Sequence, residues 1–264
     1  MEKIAIVSGA SSGIGKETAL LLADNGFTVY GLNRKKAEIK GITFITTDLT
    51  DSESIKAAVD AITKQHGRID LLVNNAGMGI SGSIESTRLE RAKYIFDVNL
   101  FGAFELTKAV LPVMRGQNGG RIITISSLAS VFYLPFQGFY SATKSAVTSL
   151  FNALQLEVKP FNIKITTILS GDIKTDFTAN RKKNEDELEA YHARMGKSVA
   201  VMEQDEQNGM SASRIAKEVL KQTHKKRPKL NVVVGAKYKL FAFLAKLLPA
   251  DFVNNIIFKI YGGD

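Results

Sequence analysis

Short apolar, β-branched runs alternate with longer helical patterns almost from end to end of the chain. Strand-like runs fall at 4–8, 27–32, 42–46, 70–74, 121–126, 163–169 and 230–235. Between them, apolar spacing predicts helices near 14–25, 52–66, 88–115, 138–158 and 211–222. The strand runs lack strict polar alternation, which suits strands buried on both faces. Their regular alternation with helices predicts an α/β fold, a doubly wound parallel sheet of about seven strands. No internal repeat or low-complexity linker divides it, so it reads as a single domain.

Two segments break this rhythm. Residues 177–210 are charged, carry Met195, Met202 and Met210, and show no strong single period. An insertion of this kind after a strand is either a lid over an active site or a poorly ordered surface loop, and the two readings stand level. Beyond residue 235 comes an apolar, helical C-terminal extension of the same domain, 236–264. There Leu240, Phe241, Leu244, Leu247 and Leu248 fall at helical spacings, with Lys239 and Lys246 between them, and Pro249 interrupts the helix. The lysines and Pro249 break the run well short of the roughly 20 apolar residues a spanning helix needs. Packing on its own domain or on a second subunit ranks first for this tail, pocket lining second, and contact along 236–261 with a membrane surface third.

Composition narrows the chemistry. The chain has 264 residues, 45% hydrophobic and 23% charged, the profile of one large soluble domain. Cysteine is absent, which excludes disulfides, thiolate metal sites and a thiol nucleophile, and suits a reducing cytoplasm. No metal-ligand pattern stands out. The N-terminus passes from one basic residue into a short apolar run and a glycine loop, without the apolar core of a signal peptide. The formal net charge of +9 is spread widely. Without a zinc-finger, RNP-type or basic-zipper pattern, it reads as solvated surface rather than a nucleic-acid interface.

The stretch GFYSATKS (138–145) places Tyr140 four residues before Lys144, on one face if the segment is helical. A cation beside a phenol favours the phenolate, so the pair reads either as an acidic tyrosine or as an ordinary amphipathic pair, the commoner case for this spacing alone. After the first strand, SGASSGIG (8–15) sets Gly9, Gly13 and Gly15 at the turn into a helix. There the backbone can approach a diphosphate and meet it with free helix N–H groups. The second strand ends in Asn33 and Arg34 where an acidic residue would contact a 2′-hydroxyl. A guanidinium there suits a 2′-phosphate, which points to NADPH/NADP+ rather than NADH/NAD+.

With these pieces in place the chain resembles the short-chain dehydrogenase/reductase family over nearly its whole length. The resemblance is carried by SGASSGIG (8–15), DLTD (48–51), NNAG (74–77), VNLFG (98–102), ISS (125–127) and YSATK (140–144). It implies a Rossmann-type NAD(P)-binding catalytic domain over 1–235 and a tetrad of Asn99, Ser127, Tyr140 and Lys144. Ser127 is preferred to Ser126 because it stands thirteen residues before the tyrosine, with Ser126 as a polar neighbour that orients it. Asn99 is expected to position a water linking Lys144 to solvent. Cofactor contacts are implied for Gly9, Ser11, Ser12, Gly13, Ile14 and Gly15, for Asn33 and Arg34, and for Asp48 and Leu49 beside the adenine. They are implied also for Asn75, Ala76 and Gly77 beside the ribose, for Tyr140 and Lys144, and for Gly171, Ile173 and Thr175 beside the nicotinamide. Two departures stand out. Ser8 replaces the usual threonine and keeps its hydroxyl, and Ser170 replaces the usual proline before Gly171, leaving that loop less constrained.

The activity implied is interconversion of a carbonyl and an alcohol. Phe132, Tyr133, Leu134, Pro135 and Phe136, with the apolar tail, point to a steroid-, retinoid- or lipid-like substrate, as in the 17β-hydroxysteroid and retinol dehydrogenase-like branches. Core packing is the competing reading of that cluster. The alternatives are a 3-oxoacyl-carrier-protein reductase and a non-enzymatic, NADPH-binding regulatory or membrane-associated module. A homodimer or homotetramer in the cytoplasm, in places peripheral to a membrane, completes the expectation.

Overall fold

A computed structural model describes residues 2–184 and 187–262. Positions 185 and 186 of the expected lid, and 263 and 264 of the expected extension, lie outside the described residues.

The main sheet has strands β1 (Lys3–Ser8), β2 (Phe27–Asn33), β3 (Ile42–Thr46), β4 (Leu71–Asn74), β5 (Gly120–Ser127), β6 (Ile163–Ser170) and β7 (Asn231–Val233). All neighbours pair in parallel, in the order β7-β6-β5-β4-β1-β2-β3. The order reverses direction at β1, so the ends of β1 and β4 open a crevice at the carboxyl edge of the sheet.

The helices are α1 (Gly13–Asp24), α2 (Ser52–His66), α3 (Leu89–Phe96), α4 (Gly102–Gly116), α5 (Gly138–Val158), α6 (Glu189–Gln207), α7 (Ala212–His224), α8 (Ala236–Leu247) and α9 (Ala250–Tyr261). The expected helix over 88–115 is one helical run in which a π turn, Asp97–Phe101, joins α3 to α4. Such turns insert an extra residue and re-aim the side chains they carry, and Asn99 is one of them.

The continuous apolar reading of the strands has a direct physical outcome. Along β1, Ile4 and Ile6 enter a core with Ile55 and Ile62 of α2, Leu106 and Val110 of α4, and Phe151 of α5. Ala5 and Val7 point the other way, to Ala19 and Leu22 of α1 and Ile215 and Val219 of α7. Successive residues alternate faces, and both faces are roofed, so neither set can be polar. Asp51 starts α2 by accepting a hydrogen bond from the Glu53 amide at 3.0 Å, and Gly67, in the left-handed region at φ 69°, ends it.

The described residues of 177–210 do not form a loose loop. Thr178, Arg181 and Glu187 anchor them, and α6 forms within them, burying Met195, Val199 and Met202 along one side. The polar Ser198, buried on the same side, dilutes that stripe, which is why no single period shows in the sequence. No helix among the described residues is long and apolar enough to cross a membrane.

Leu106 is fully buried between α4 and the sheet. Leu106→Ala should cost about 2–5 kcal/mol in urea unfolding while leaving the fold intact. A loss under about 1 kcal/mol would mean that this layer is not close-packed.

Candidate active site

The carboxyl edge of the sheet opens on a cavity of about 690 Å³, within the range of small-molecule sites. Three groups of residues build it.

The first is the glycine turn between β1 and α1. Gly9 and Gly13 adopt φ of 68° and 51°, a region side chains rarely enter. Ser12 caps α1 without a side-chain hydrogen bond, so the first-turn N–H groups stay free to meet an anion. Gly9, Ser11, Ser12, Gly13 and Ile14 line the cavity. Gly15 does not: a Cβ there would stand 2.1 Å from the Gly9 carbonyl oxygen, so this glycine lets α1 pack on the turn rather than touching a ligand. The Ser8 hydroxyl accepts hydrogen bonds from the Asn75 and Ala76 amides, both at 3.0 Å, and Asn75 Nδ2 donates to the Ser8 carbonyl at 2.9 Å. These bonds sew the loop after β4 to the glycine turn. Asn74 itself turns away and donates to Thr107 at 2.8 Å.

The second group lies at the ends of β2 and β3. Asn33 Oδ1 accepts from the Ala10 amide at 3.0 Å, holding the turn open. Arg34 donates from its guanidinium to the Tyr94 hydroxyl at 2.7 Å. Tyr94, from α3, also lines the cavity and was not foreseen, since sixty residues separate the pair. Asp48 and Leu49 complete this end. The Asp48 carboxyl is held below its usual range by hydrogen bonds from the Thr50 amide and hydroxyl, at 2.9 and 2.8 Å, against a smaller cost of burial, with the Arg34 charge adding to the lowering.

The third group is the reacting wall. Ser127 ends β5, opposite Ser170 at the end of β6, and Tyr140 and Lys144 share a face of α5. Lys144 Nζ donates to the Ile125 carbonyl at 3.1 Å and lies 5.8 Å from the centre of the Tyr140 ring. Burial lowers the Lys144 ammonium from the usual 10.5 to about 8. The Tyr140 phenol is pushed up to about 12, by burial first; Ser127 opposes this, Glu206 adds to it and Arg181 opposes it. The acidic phenol, one reading of the Tyr–Lys spacing, is therefore not found in the protein alone. Lys144 points beneath the ring to a backbone carbonyl, and loss of water is the largest cause of both shifts.

Asn99 is buried in the π turn between α3 and α4. Its amide brackets Met78, accepting from the Met78 N–H at 2.8 Å and donating to the Met78 carbonyl at 2.9 Å, and it donates to Thr143 at 3.1 Å. Both of its N–H groups are spent, and it lies behind the cavity wall near Gly77. It fixes the 75–79 loop rather than facing the cavity. Ser126 donates to the Lys144 carbonyl at 3.1 Å and pairs with Thr148 at 2.8 Å, bolting α5 to β5. Ser170 donates to the Ser126 carbonyl at 3.2 Å, so the missing proline is offset by a buried tie between strands.

Gly171, Ile173 and Thr175 line the far end. A Cβ on Gly171 would meet the Tyr238 ring at 2.4 Å, and the Tyr238 hydroxyl donates to Asp172 at 2.8 Å. The tail thus clamps this loop and lines the cavity through Tyr238, Phe241, Leu248, Ile257 and Tyr261. Tyr261 donates to Asp205 of α6 at 2.7 Å. Both tyrosines are raised by burial and by these carboxylates. Of the aromatic cluster before Tyr140, Phe132 and Leu134 face the cavity, Tyr133 is exposed, and Phe136 packs edge-on against Tyr191. Phe177 leans on the Tyr140 ring, and Met202 and Glu206 of α6 close the same wall.

The free N–H groups of α1, the glycine turn and Arg34 at the end of β2 fit a dinucleotide with a charged diphosphate. A family model described as short chain dehydrogenase matches residues 3–186. The chain is 40% identical over 263 residues to a protein named 3-ketodihydrosphingosine reductase from Bacteroides thetaiotaomicron, covering 98% of each. It is 29% identical over 259 residues to a probable short-chain type dehydrogenase/reductase, VdlC, from Helicobacter pylori, covering 96% of each. Its fold matches a solved short-chain dehydrogenase from Streptomyces avermitilis with a TM-score of 0.83 and 28% identity, over 98% of this chain and 96% of that one.

Lys144 has a lower pKa folded than unfolded, so it weakens the fold below pH 8, and stability returns as pH rises from about 8 towards 10.5. Lys144→Met should stabilise the protein at pH 7 by about 1–3 kcal/mol in urea unfolding, with the gain shrinking towards pH 10. A variant less stable than the wild type at pH 7 would show that the ammonium is well solvated in place. Gly15→Ala should abolish dinucleotide binding measured by calorimetry, because its methyl collides with the Gly9 carbonyl; unchanged affinity would contradict the packing described.

Proposed function

The chain belongs to the short-chain dehydrogenase family and is an oxidoreductase acting on a carbonyl or the matching alcohol, and we propose that it reduces the ketone of an apolar, lipid-like substrate with NADPH. The observation that carries this reading is one cavity with a glycine turn and Arg34 at one end, Ser127, Tyr140 and Lys144 on one wall, and an apolar tail at the other end. The 40% identical relative is named for a lipid ketone, and the apolar end of the cavity suits a substrate of that class.

The dinucleotide supplies the hydride when bound. Gly9, Gly13 and the α1 N–H groups would hold its diphosphate, Arg34 would hold its 2′-phosphate, and Ile173 and Thr175 would meet its nicotinamide end. Tyr140 gives its proton to the oxygen of the substrate as charge develops there. A phenol raised to about 12 stays fully protonated at neutral pH, which suits a donor to a far more basic alkoxide. The Ser127 hydroxyl donates to the same oxygen and fixes its position. Lys144, kept charged below about pH 8, supplies the positive potential beneath the ring that favours loss of the proton. Asn99 acts through Met78 as a positioning residue. Beside the catalytic domain spanning 1–235, Phe177, Met202 and Glu206 of the inserted segment serve as the lid, and Tyr238, Phe241, Leu248 and Ile257 of the C-terminal extension as the substrate wall.

Tyr140→Phe should lower kcat for ketone reduction by roughly 100- to 10,000-fold while leaving NADPH affinity unchanged. Near-normal turnover would remove the tyrosine from the mechanism. For the wild type, kcat/KM for reduction should be flat below pH 8 and fall above it as Lys144 loses its proton. Arg34→Ala should weaken NADPH about tenfold or more and leave NADH unchanged. Equal loss for both coenzymes would overturn the 2′-phosphate assignment.

A further inference from the structure

Helix α8 has two apolar faces. Tyr238, Phe241, Ala245 and Leu248 line the cavity. Leu240, Phe243 and Leu247 fall on a different stripe, at i, i+3 and i+7, and are 55%, 58% and 65% exposed. None of these three lines the cavity. Helix α9 repeats the pattern, with Ile257 and Ile260 lining the cavity and Phe252 and Phe258, which do not line it, about half exposed. Side chains of this size exposed in series on adjacent helices form an unusual surface for a soluble protein.

Charge indicates what covers it. Lys239, Lys246 and Lys259 are exposed on the same two helices, against the single acid Asp251, while Lys237 turns to the cavity side over Tyr238 and Phe241. Lys239 and Lys246 are a heptad apart and flank the Leu240–Phe243–Leu247 stripe. A two-fold contact with a second copy would set this basic face against itself. An anionic surface would neutralise it. Neither helix exceeds twelve residues, so the pair lies in an interface rather than crossing it.

We propose that the outer faces of α8 and α9 dock in the plane of an anionic lipid bilayer, so that the wall of the cavity is also the membrane-facing surface. Apolar side chains enter the boundary between headgroups and acyl chains while the lysines contact the headgroups. The docking stands on the exposed face alone. That the membrane delivers the substrate to the cavity rests on the lipid-like reading above.

The test is co-sedimentation of the full chain with vesicles of phosphatidylcholine, alone or mixed with phosphatidylglycerol, at low salt. The wild type should pellet with the mixed vesicles and much less with phosphatidylcholine. Phe243→Ser with Leu247→Ser should cut the bound fraction about tenfold or more. Lys239→Glu with Lys246→Glu should weaken binding to the mixed vesicles by roughly 30-fold or more. Both variants should keep the wild-type unfolding temperature within a few degrees and keep turnover of a short, water-soluble ketone. Wild type left in the supernatant, or variants that pellet as it does, would overturn the proposal. So would a wild-type dimer on size exclusion that Phe243→Ser with Leu247→Ser converts to monomer without any vesicle binding. Protein that pellets but reduces no ketone would instead sink the proposed reaction and leave the docking standing.

Discussion

An ammonium group with almost no access to water, held by one backbone carbonyl, is the constraint around which the reacting wall is arranged. Lys144 can reach the Ile125 carbonyl only because α5 is bolted to the end of β5 by Ser126 and Thr148. That bolt depends on the next strand, since Ser170 of β6 donates to the Ser126 carbonyl. Burying the charge costs stability, and the cost shows as an ammonium lowered to about 8. A protein selected for stability alone would place a methionine there. Retaining a lysine makes sense where its charge lies beneath a phenol that must surrender a proton.

Much of this was legible in the sequence because it is local or periodic. The strands appear as uninterrupted apolar runs because both faces of the sheet are roofed, and a fully buried strand admits no polar alternation. The glycine turn is visible since backbone with positive φ restricts residue choice to glycine. Tyr140 and Lys144 share a helix, so their spacing alone places them on one face. The sign of the tyrosine shift was not legible. It depends on how much water reaches the ring and on which acceptor the lysine finds, and both are set by β5 and α6 rather than by the two residues themselves.

The remaining gaps are long-range contacts. Nothing near Arg34 announces Tyr94, and nothing near Asp172 announces Tyr238, because each pair meets only after the chain has crossed the sheet. Phe132 to Phe136 look alike in sequence yet divide three ways, according to whether the cavity, solvent or Tyr191 lies opposite. The helical spacing of Leu240, Phe241, Leu244, Leu247 and Leu248 does not show how many apolar faces the tail has. It has two, and the inner one is fixed by Tyr238 on Asp172 and Tyr261 on Asp205. These latches tie the apolar end of the cavity to the loop after β6 and to α6, so the apolar wall and the wall that carries Tyr140 are mechanically one structure.

The most direct test of this account is an NMR titration of the Lys144 side-chain nitrogen in the free protein, assigned with a Lys144→Met spectrum. Deprotonation centred near pH 8 is the predicted result. A midpoint at or above the ordinary lysine value of about 10.4 would mean that water reaches the amine, and the buried ammonium described here would not exist.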